Sequence, residues 1–160
     1  MTNFVAAFQN GQEAAENADR ARKEISDVFD AINEQLYEPT LGKIELCREE
    51  YKKEPDRGPY GIGMIFPIGP QEFYLAVAAR NPKAKDKTPR KLALWSESRA
   101  GYPCKLTWGN VENSCNDRES LEACLATLLS DPIVGEKIRS IIRLPEEESK
   151  GEGTITPPSQ

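Results

Sequence analysis

The sequence predicts an α+β fold with a long N-terminal helix, about five strands in a mostly antiparallel sheet, and two C-terminal helices. Apolar residues recur at helical spacing over residues 6–37 and again over 116–144. Between them, residues 41–109 form short alternating runs separated by Gly, Pro and charged clusters. Short connections favour antiparallel neighbours. At 160 residues the chain is long enough to bury its own core, so we predict one globular domain at 1–144.

The predicted N-terminal helix carries one apolar stripe with spacings of three and four residues. Pro39 predicts its end, and Gly11 is expected to weaken or delay its start. We expect the stripe to pack on the chain's own sheet, and a homodimer through this helix is the alternative, because the spacing also fits a coiled-coil seam. The stripe consists of Ala14, Ala18, Ala21, Ile25, Val28, Ile32 and Leu36.

The strand-like runs are KIELC, YGIGMIF, EFYLAVAA, KLALWS and CKLTWG. In the third run Phe73 and Leu75 point one way and Tyr74 the other, and both sets are largely apolar, which is typical of a central strand. If the helices cover only the Phe73 side, the opposite face would be exposed and would resemble an interface core. If the helices cover both faces, that face would be buried in the chain's own core. The residues expected on that opposite face are Tyr74, Ala76, Ala78, Ala93 and Trp95.

The C-terminal part predicts two helices and a tail. Asn116 with Glu119 fits a capping box, and Ser130 or Asp131 before a proline fits the start of a second helix. Residues 145–160 contain one bulky apolar residue, Ile155, so we predict a disordered acidic tail there.

Several chemistries are disfavoured by composition. The chain has no histidine, which removes Ser–His and Cys–His nucleophile pairs. Its cysteines form no CxxC pair, so we expect free thiols, no metal site and no cofactor; a Cys104–Cys115 bridge is the alternative in an oxidising compartment. The glycines of 58–69 match neither a P-loop nor a dinucleotide fingerprint. A carboxylate-dependent enzyme using Glu49 and Glu50 is a further alternative. The four cysteines are Cys47, Cys104, Cys115 and Cys124.

We expect a cytoplasmic protein without a membrane segment. The chain has no run of about 18 apolar residues, which a spanning helix would need. Its N-terminus lacks the basic segment of a signal peptide.

The stretch RNPKAKDKTPRK, residues 80–91, is the basic loop. It has six basic residues and one acid in a chain of net charge −5. Flanked by Pro82 and Pro89, it is expected to project as a hairpin and to steer an acidic partner. A merely solvated hairpin tip is the alternative, and nucleic acid or a phosphorylated ligand is a second one. The basic residues are Arg80, Lys83, Lys85, Lys87, Arg90 and Lys91.

Together these features predict a non-enzymatic protein-binding protein of bacterial or phage type. Such a protein would act by stoichiometric association, as an inhibitor, an immunity-like partner, a chaperone or an adaptor. The predicted binding residues are the six cations of the basic loop together with Tyr74 and Trp95.

Overall fold

The computed structural model describes residues 1–54 and 70–148. It confirms the α+β arrangement of a long N-terminal helix, a five-stranded antiparallel sheet and two C-terminal helices. In chain order the elements are α1 (Phe4–Tyr37), β1 (Glu45–Lys52), β2 (Phe73–Arg80), β3 (Arg90–Ser98), β4 (Gly101–Trp108), β5 (Val111–Cys115), α2 (Arg118–Leu129) and α3 (Pro132–Ile142). No helix in these two ranges combines the length and the apolar content needed to cross a bilayer.

The sheet is a simple meander in which sequence neighbours are also spatial neighbours. Its order is β1-β2-β3-β4-β5, and every described pair is antiparallel. The predicted run at 60–66 lies outside the described residues. The strand β5 was not predicted, because only its two end residues, Val111 and Cys115, are apolar. A two-residue Gly109–Asn110 connection joins it to β4, with Gly109 at φ 58°. Such a connection typically marks a hairpin.

All three helices contribute to one hydrophobic core on one face of the sheet. Ile25 and Phe29 of α1, Leu125 of α2 and Ile141 of α3 belong to the same buried cluster as Trp95 of β3. The rings of Phe29 and Trp95 meet edge to face, with centroids 5.7 Å apart. That geometry suits the aromatic quadrupoles and fixes where α1 crosses the sheet.

The first half of α1 stands away from this core. The helix begins at Phe4, and Asn3 caps it by accepting a hydrogen bond from the Ala6 N–H at 3.1 Å. The prediction that Gly11 delays the helix start is therefore wrong. The first buried residue of α1 is Ala18. At about 1.5 Å per residue, the preceding 14 helical residues extend roughly 20 Å beyond the core.

The C-terminal helices start at aspartate caps. Asp117, rather than Asn116, caps α2 and forms a capping box with Ser120 instead of Glu119. Asp131 caps α3 as predicted, with Pro132 in the first turn. The error of one residue at α2 arises because Asn116 and Asp117 are both good caps.

Candidate partner-binding surface

The basic loop is folded against the body instead of projecting from it. Ala84 in its middle and Asn81 at its start are fully buried. The Asn81 Nδ2 donates to the Ile141 carbonyl at 3.2 Å, and its Oδ1 accepts from the Lys83 N–H at 3.0 Å. One amide side chain therefore fixes the loop to the last turn of α3. The expectation of a free hairpin tip is corrected, because the small Ala84 and the polar Asn81 turn inward.

An acidic segment of the same chain runs beside the loop. The Lys85 N–H donates to the Pro145 carbonyl at 2.9 Å, and the Glu147 N–H donates to the Lys83 carbonyl at 2.8 Å. Ala84 and Glu146 form an isolated antiparallel bridge between these bonds. Residues 145–147, which we call the acidic segment, thus lie on the body although the tail was predicted to be disordered from 145. Residues 149–160 lie outside the described part of the chain.

Opposite charges accompany this backbone pairing. Lys43 Nζ lies 2.7 Å from Glu146 Oε1, and Lys87 Nζ lies 2.7 Å from Glu147 Oε2. Each lysine lowers the pKa of its glutamate below the ordinary value, through a side-chain hydrogen bond and the Coulombic attraction of the ammonium. The two carboxylates are exposed, so the contact remains open to salt and to competing anions.

Four of the other five loop cations also have partners close to the body. Arg80 pairs with Glu45 across β1 and β2 at 2.8 Å, and Lys83 Nζ donates to the Leu41 carbonyl at 2.6 Å. Arg90 reaches the Ser140 hydroxyl at 3.4 Å. Among the described residues, Lys85 is the one loop cation whose side chain has no hydrogen-bond or ion-pair partner. The six cations therefore do not act as one free patch.

Tyr74 lies beside the end of the basic loop. Its ring stacks on Tyr51 with centroids 5.8 Å apart, and Lys91 Nζ lies 5.1 Å from its ring centroid. The Tyr51 hydroxyl donates to the Pro89 carbonyl at 2.9 Å. The tyrosine pair thus continues the loop surface onto the sheet face opposite the one on which the three described helices pack.

Trp95 lies on the opposite face from Tyr74, which corrects the prediction that they share one. It pairs with Leu75, and only 3% of its surface is exposed. A bulge between Val77 and Ala78 shifts the register of β3 and turns Ala93 and Trp95 toward the helices. Ala76 and Ala78 do lie on the Tyr74 face but are fully buried, so the predicted flat, exposed face of small residues does not form.

The thiols are free in the structure, and three of them lie at one end of the core. Cys104 and Cys115 face each other across β4 and β5, and both are buried. Burial raises the pKa of Cys104 to about 11 and that of Cys124 to about 12. Such thiols are poor nucleophiles at neutral pH. Among the described residues no group of three or more Cys, Asp or Glu side chains is arranged to hold a metal ion.

The carboxylate pair of β1 is divided by the sheet. Glu49 pairs with Ala76 and Glu50 pairs with Leu75, so their side chains point to opposite faces. They do not form a joint acid–base site.

Sequence reasoning missed Asn81, Lys43 and the acidic segment as parts of this surface. An Asn-Pro pair indicates a turn but not a buried amide. The acidic run was visible, yet nothing in the sequence connects it with a loop some 60 residues earlier. Comparisons with family models, with curated proteins and with solved structures gave no match.

Proposed function

We propose that this chain is a non-enzymatic protein-binding protein that acts by stoichiometric association, and that the basic loop takes up an extended acidic segment of its partner. One observation carries the proposal: the loop already holds the chain's own acidic segment in that manner. We therefore infer that the partner's segment resembles residues 145–147 in being extended and acidic.

The contact combines two recognition elements. Lys83 and Lys85 offer a carbonyl and an N–H to an extended strand, and both bonds are independent of the ligand's side chains. This is the logic of β-augmentation, in which an added strand satisfies open backbone groups. Lys43 and Lys87 then select carboxylates on successive residues, Glu146 and Glu147. An extended acidic peptide fits both elements.

The intramolecular segment must be displaceable for a partner to bind. Its ion pairs are solvent-exposed, and exposed pairs contribute little to stability. Its tether, however, gives it an effective concentration on the order of millimolar. A partner segment therefore has to offer more contacts than residues 145–147 do, and the segment acts as a built-in competitor that rejects weakly acidic peptides.

The remaining residues favour association over turnover. The chain has no histidine to serve as a general base. The raised pKa values of the thiols keep them protonated at neutral pH, and Glu49 and Glu50 diverge. These features support binding without chemistry.

The test uses the full chain and a labelled peptide of sequence LPEEES, which copies residues 144–149. In fluorescence anisotropy, a variant with Glu146→Gln and Glu147→Gln should bind the peptide roughly three- to tenfold more tightly than the wild type, because the internal competitor is weakened. Adding Lys83→Glu, Lys85→Glu and Lys87→Glu to that variant should abolish binding.

A matched control carries the same change of charge elsewhere, with Lys23→Glu, Lys105→Glu and Arg118→Glu, all in exposed ion pairs. It should retain peptide binding at moderate salt. Capture from the native host should then recover a protein through the wild-type loop but not through the triple-lysine variant, with no effect of nuclease. Equal capture by both chains, or recovery that nuclease removes, would contradict the proposal, and the second result would favour nucleic acid as the ligand.

A further inference from the structure

The exposed first half of α1 carries large apolar side chains that no described residue covers. Phe4, Val5 and Phe8 are 76%, 67% and 66% exposed. Two phenylalanines one helical turn apart form a contiguous patch on a helix that extends into solvent. Isolated exposed apolar residues need no explanation, but a contiguous aromatic patch indicates an interaction surface.

The patch is part of a row of residues along one side of α1 in which two large side chains are followed by two small ones; we call this row the seam. Phe4, Phe8, Gly11 and Ala15 recur at spacings of four, three and four, as the alternating d and a positions of a heptad do. The two large residues come first and the two small ones follow. Gly11 is costly inside a helix, by roughly 1 kcal/mol relative to alanine. Apart from its two chain neighbours and the nearby backbone of its own helix, no atom of the described residues lies within 4 Å of the place where a Gly11 side chain would be.

We propose that this half of α1 pairs in antiparallel fashion with the same half of a second copy of the chain. In antiparallel pairing an a position faces a d position, so Phe8 meets the partner's Gly11 and Phe4 meets the partner's Ala15. The two-fold axis repeats both contacts, and every large side chain faces a small one. A parallel pair would place Phe4 on Phe4 and leave a void at Gly11.

The body of the protein selects this register. Ala18, one step further along the seam, is only 8% exposed because the body covers it. A shift of one heptad toward the body would place the partner's Phe8 on Ala18 and its Phe4 on Arg22. A shift of one heptad the other way would place Phe4 on Phe8. The proposed register is thus the longest overlap that the fold leaves free.

Charge agrees with the antiparallel arrangement. Residues 1–12 contain no charged side chain, whereas Glu13 and Glu16 follow in the second part of the overlap. Antiparallel pairing places each charged part beside an uncharged part, so no like charges meet across the seam. The flanking positions nearest the seam, such as Ala7 and Ala14, are small and allow the helices to approach closely.

The surface area that the proposed dimer would bury fits a weak but specific association. Four phenylalanines at roughly 150 Å² each, with the alanines and Val5, bury a total on the order of 1,000 Å², the lower end for specific interfaces. We therefore expect a dissociation constant in the micromolar to tens-of-micromolar range. Sedimentation equilibrium of the full chain over about 5–500 μM should show a monomer–dimer equilibrium, a span that brackets such a constant.

The decisive variant is Gly11→Leu. In the monomer the new side chain meets open space and raises helix propensity, so helicity should be unchanged or higher. In the dimer it collides with the partner's Phe8, and association should weaken at least tenfold. The matched control Asn10→Leu adds a similar side chain one residue away, on the face opposite the seam, and should leave the equilibrium unchanged.

Direction is tested by cross-linking. The pair Phe4→Cys and Ala15→Cys in one chain should give a disulfide-linked dimer under mild oxidation, whereas Ala15→Cys alone should not. A wild-type chain that stays monomeric to 500 μM would overturn the proposal, as would Gly11→Leu dimerising like the wild type or Ala15→Cys cross-linking by itself. Flotation of a monomeric wild-type chain with lipid vesicles would identify a membrane surface as the occupant instead.

Discussion

Replacement of Asn81 by alanine tests whether one buried amide positions the basic loop. Asn81 is the one fully buried polar side chain among the described residues. It donates to the Ile141 carbonyl and accepts from the Lys83 N–H. Alanine removes both bonds. The Ile141 carbonyl still accepts from the Leu144 N–H, but the Lys83 N–H loses its partner at the position where the acidic segment docks.

The expected cost follows from these contacts. Two hydrogen bonds at about 0.5–1.5 kcal/mol each, with part of the desolvation cost of the unpaired N–H, give about 2–3 kcal/mol. For a chain of this size that corresponds to a fall in Tm of roughly 4–12 °C. The Lys83 N–H loses its acceptor on Asn81 directly, and the Lys85 N–H donates to the Pro145 carbonyl of the acidic segment beside it, so both amide hydrogens should exchange faster than in the wild type.

Urea and thermal unfolding measure the stability, and Asn113→Ala supplies a matched control. The Asn113 Nδ2 is buried without a hydrogen-bond partner among the described residues, so its removal should change the free energy of unfolding by less than about 0.5 kcal/mol. If Asn81→Ala proves as harmless as Asn113→Ala, or if amide exchange in the loop stays at the wild-type rate, the amide does not anchor the loop and the reasoning is wrong.

Four further predictions concern the core and the acidic segment. The Arg48 guanidinium lies 5.2 Å from the ring centroid of Phe29, 5.6 Å from that of Trp95 and 3.2 Å from a Glu97 carboxylate oxygen. In urea unfolding, Arg48→Met should therefore lower the free energy of unfolding by about 1–3 kcal/mol, and Arg48→Lys by nearly as much. Variants as stable as the wild type would contradict this. Because the pKa values of Cys104 and Cys124 are raised to about 11 and about 12, iodoacetamide at pH 8 should modify Cys104 roughly a hundredfold more slowly in the folded than in the unfolded chain, and Cys124 more slowly still. Unfolded thiols release their protons first, so stability should fall as the pH rises above about 9, and a flat profile from pH 8 to 11 would contradict the burial. Because the pKa of Glu147 is lowered, its contact with the loop is fully present above the ordinary value of 4.5 and is lost as the pH falls through the lowered pKa of the folded chain. Faster exchange of the Lys85 amide at pH 3, after correction for intrinsic exchange, would report that loss.

The element order was predictable because each element obeys a simple period. Residues of α1 from Ala18 to Leu36 keep helical spacing, and the β-runs alternate, so their types and antiparallel connections follow from the sequence. Trp95 shows where this reasoning fails. A bulge at Val77/Ala78 inserts one residue and reverses which side chains of β3 face the core. A strict period of two cannot reveal such an insertion.

The charge pattern was visible but its pairing was not. The basic loop and the acidic run each resemble a solvated surface when taken alone, since the sequence carries no information on their distance in the fold. The structure brings them together through backbone bonds at Lys83 and Lys85, and the ion pairs at Lys43 and Lys87 follow from that geometry.

The consequence is that net charge alone misstates what the loop offers to a partner. Two of its six cations, Arg80 and Lys87, are paired with carboxylates of the chain. Three more donate to neutral oxygens of the body, and Lys85 is the one loop cation with an unpartnered side chain in the described structure. Simple electrostatic steering should therefore be weaker than six cations would give. Selectivity then depends on the two backbone groups that an extended segment must satisfy in the place of residues 145–147. A compact anion such as inorganic phosphate has no backbone to add there, and so should not compete with the LPEEES peptide beyond the effect of its ionic strength.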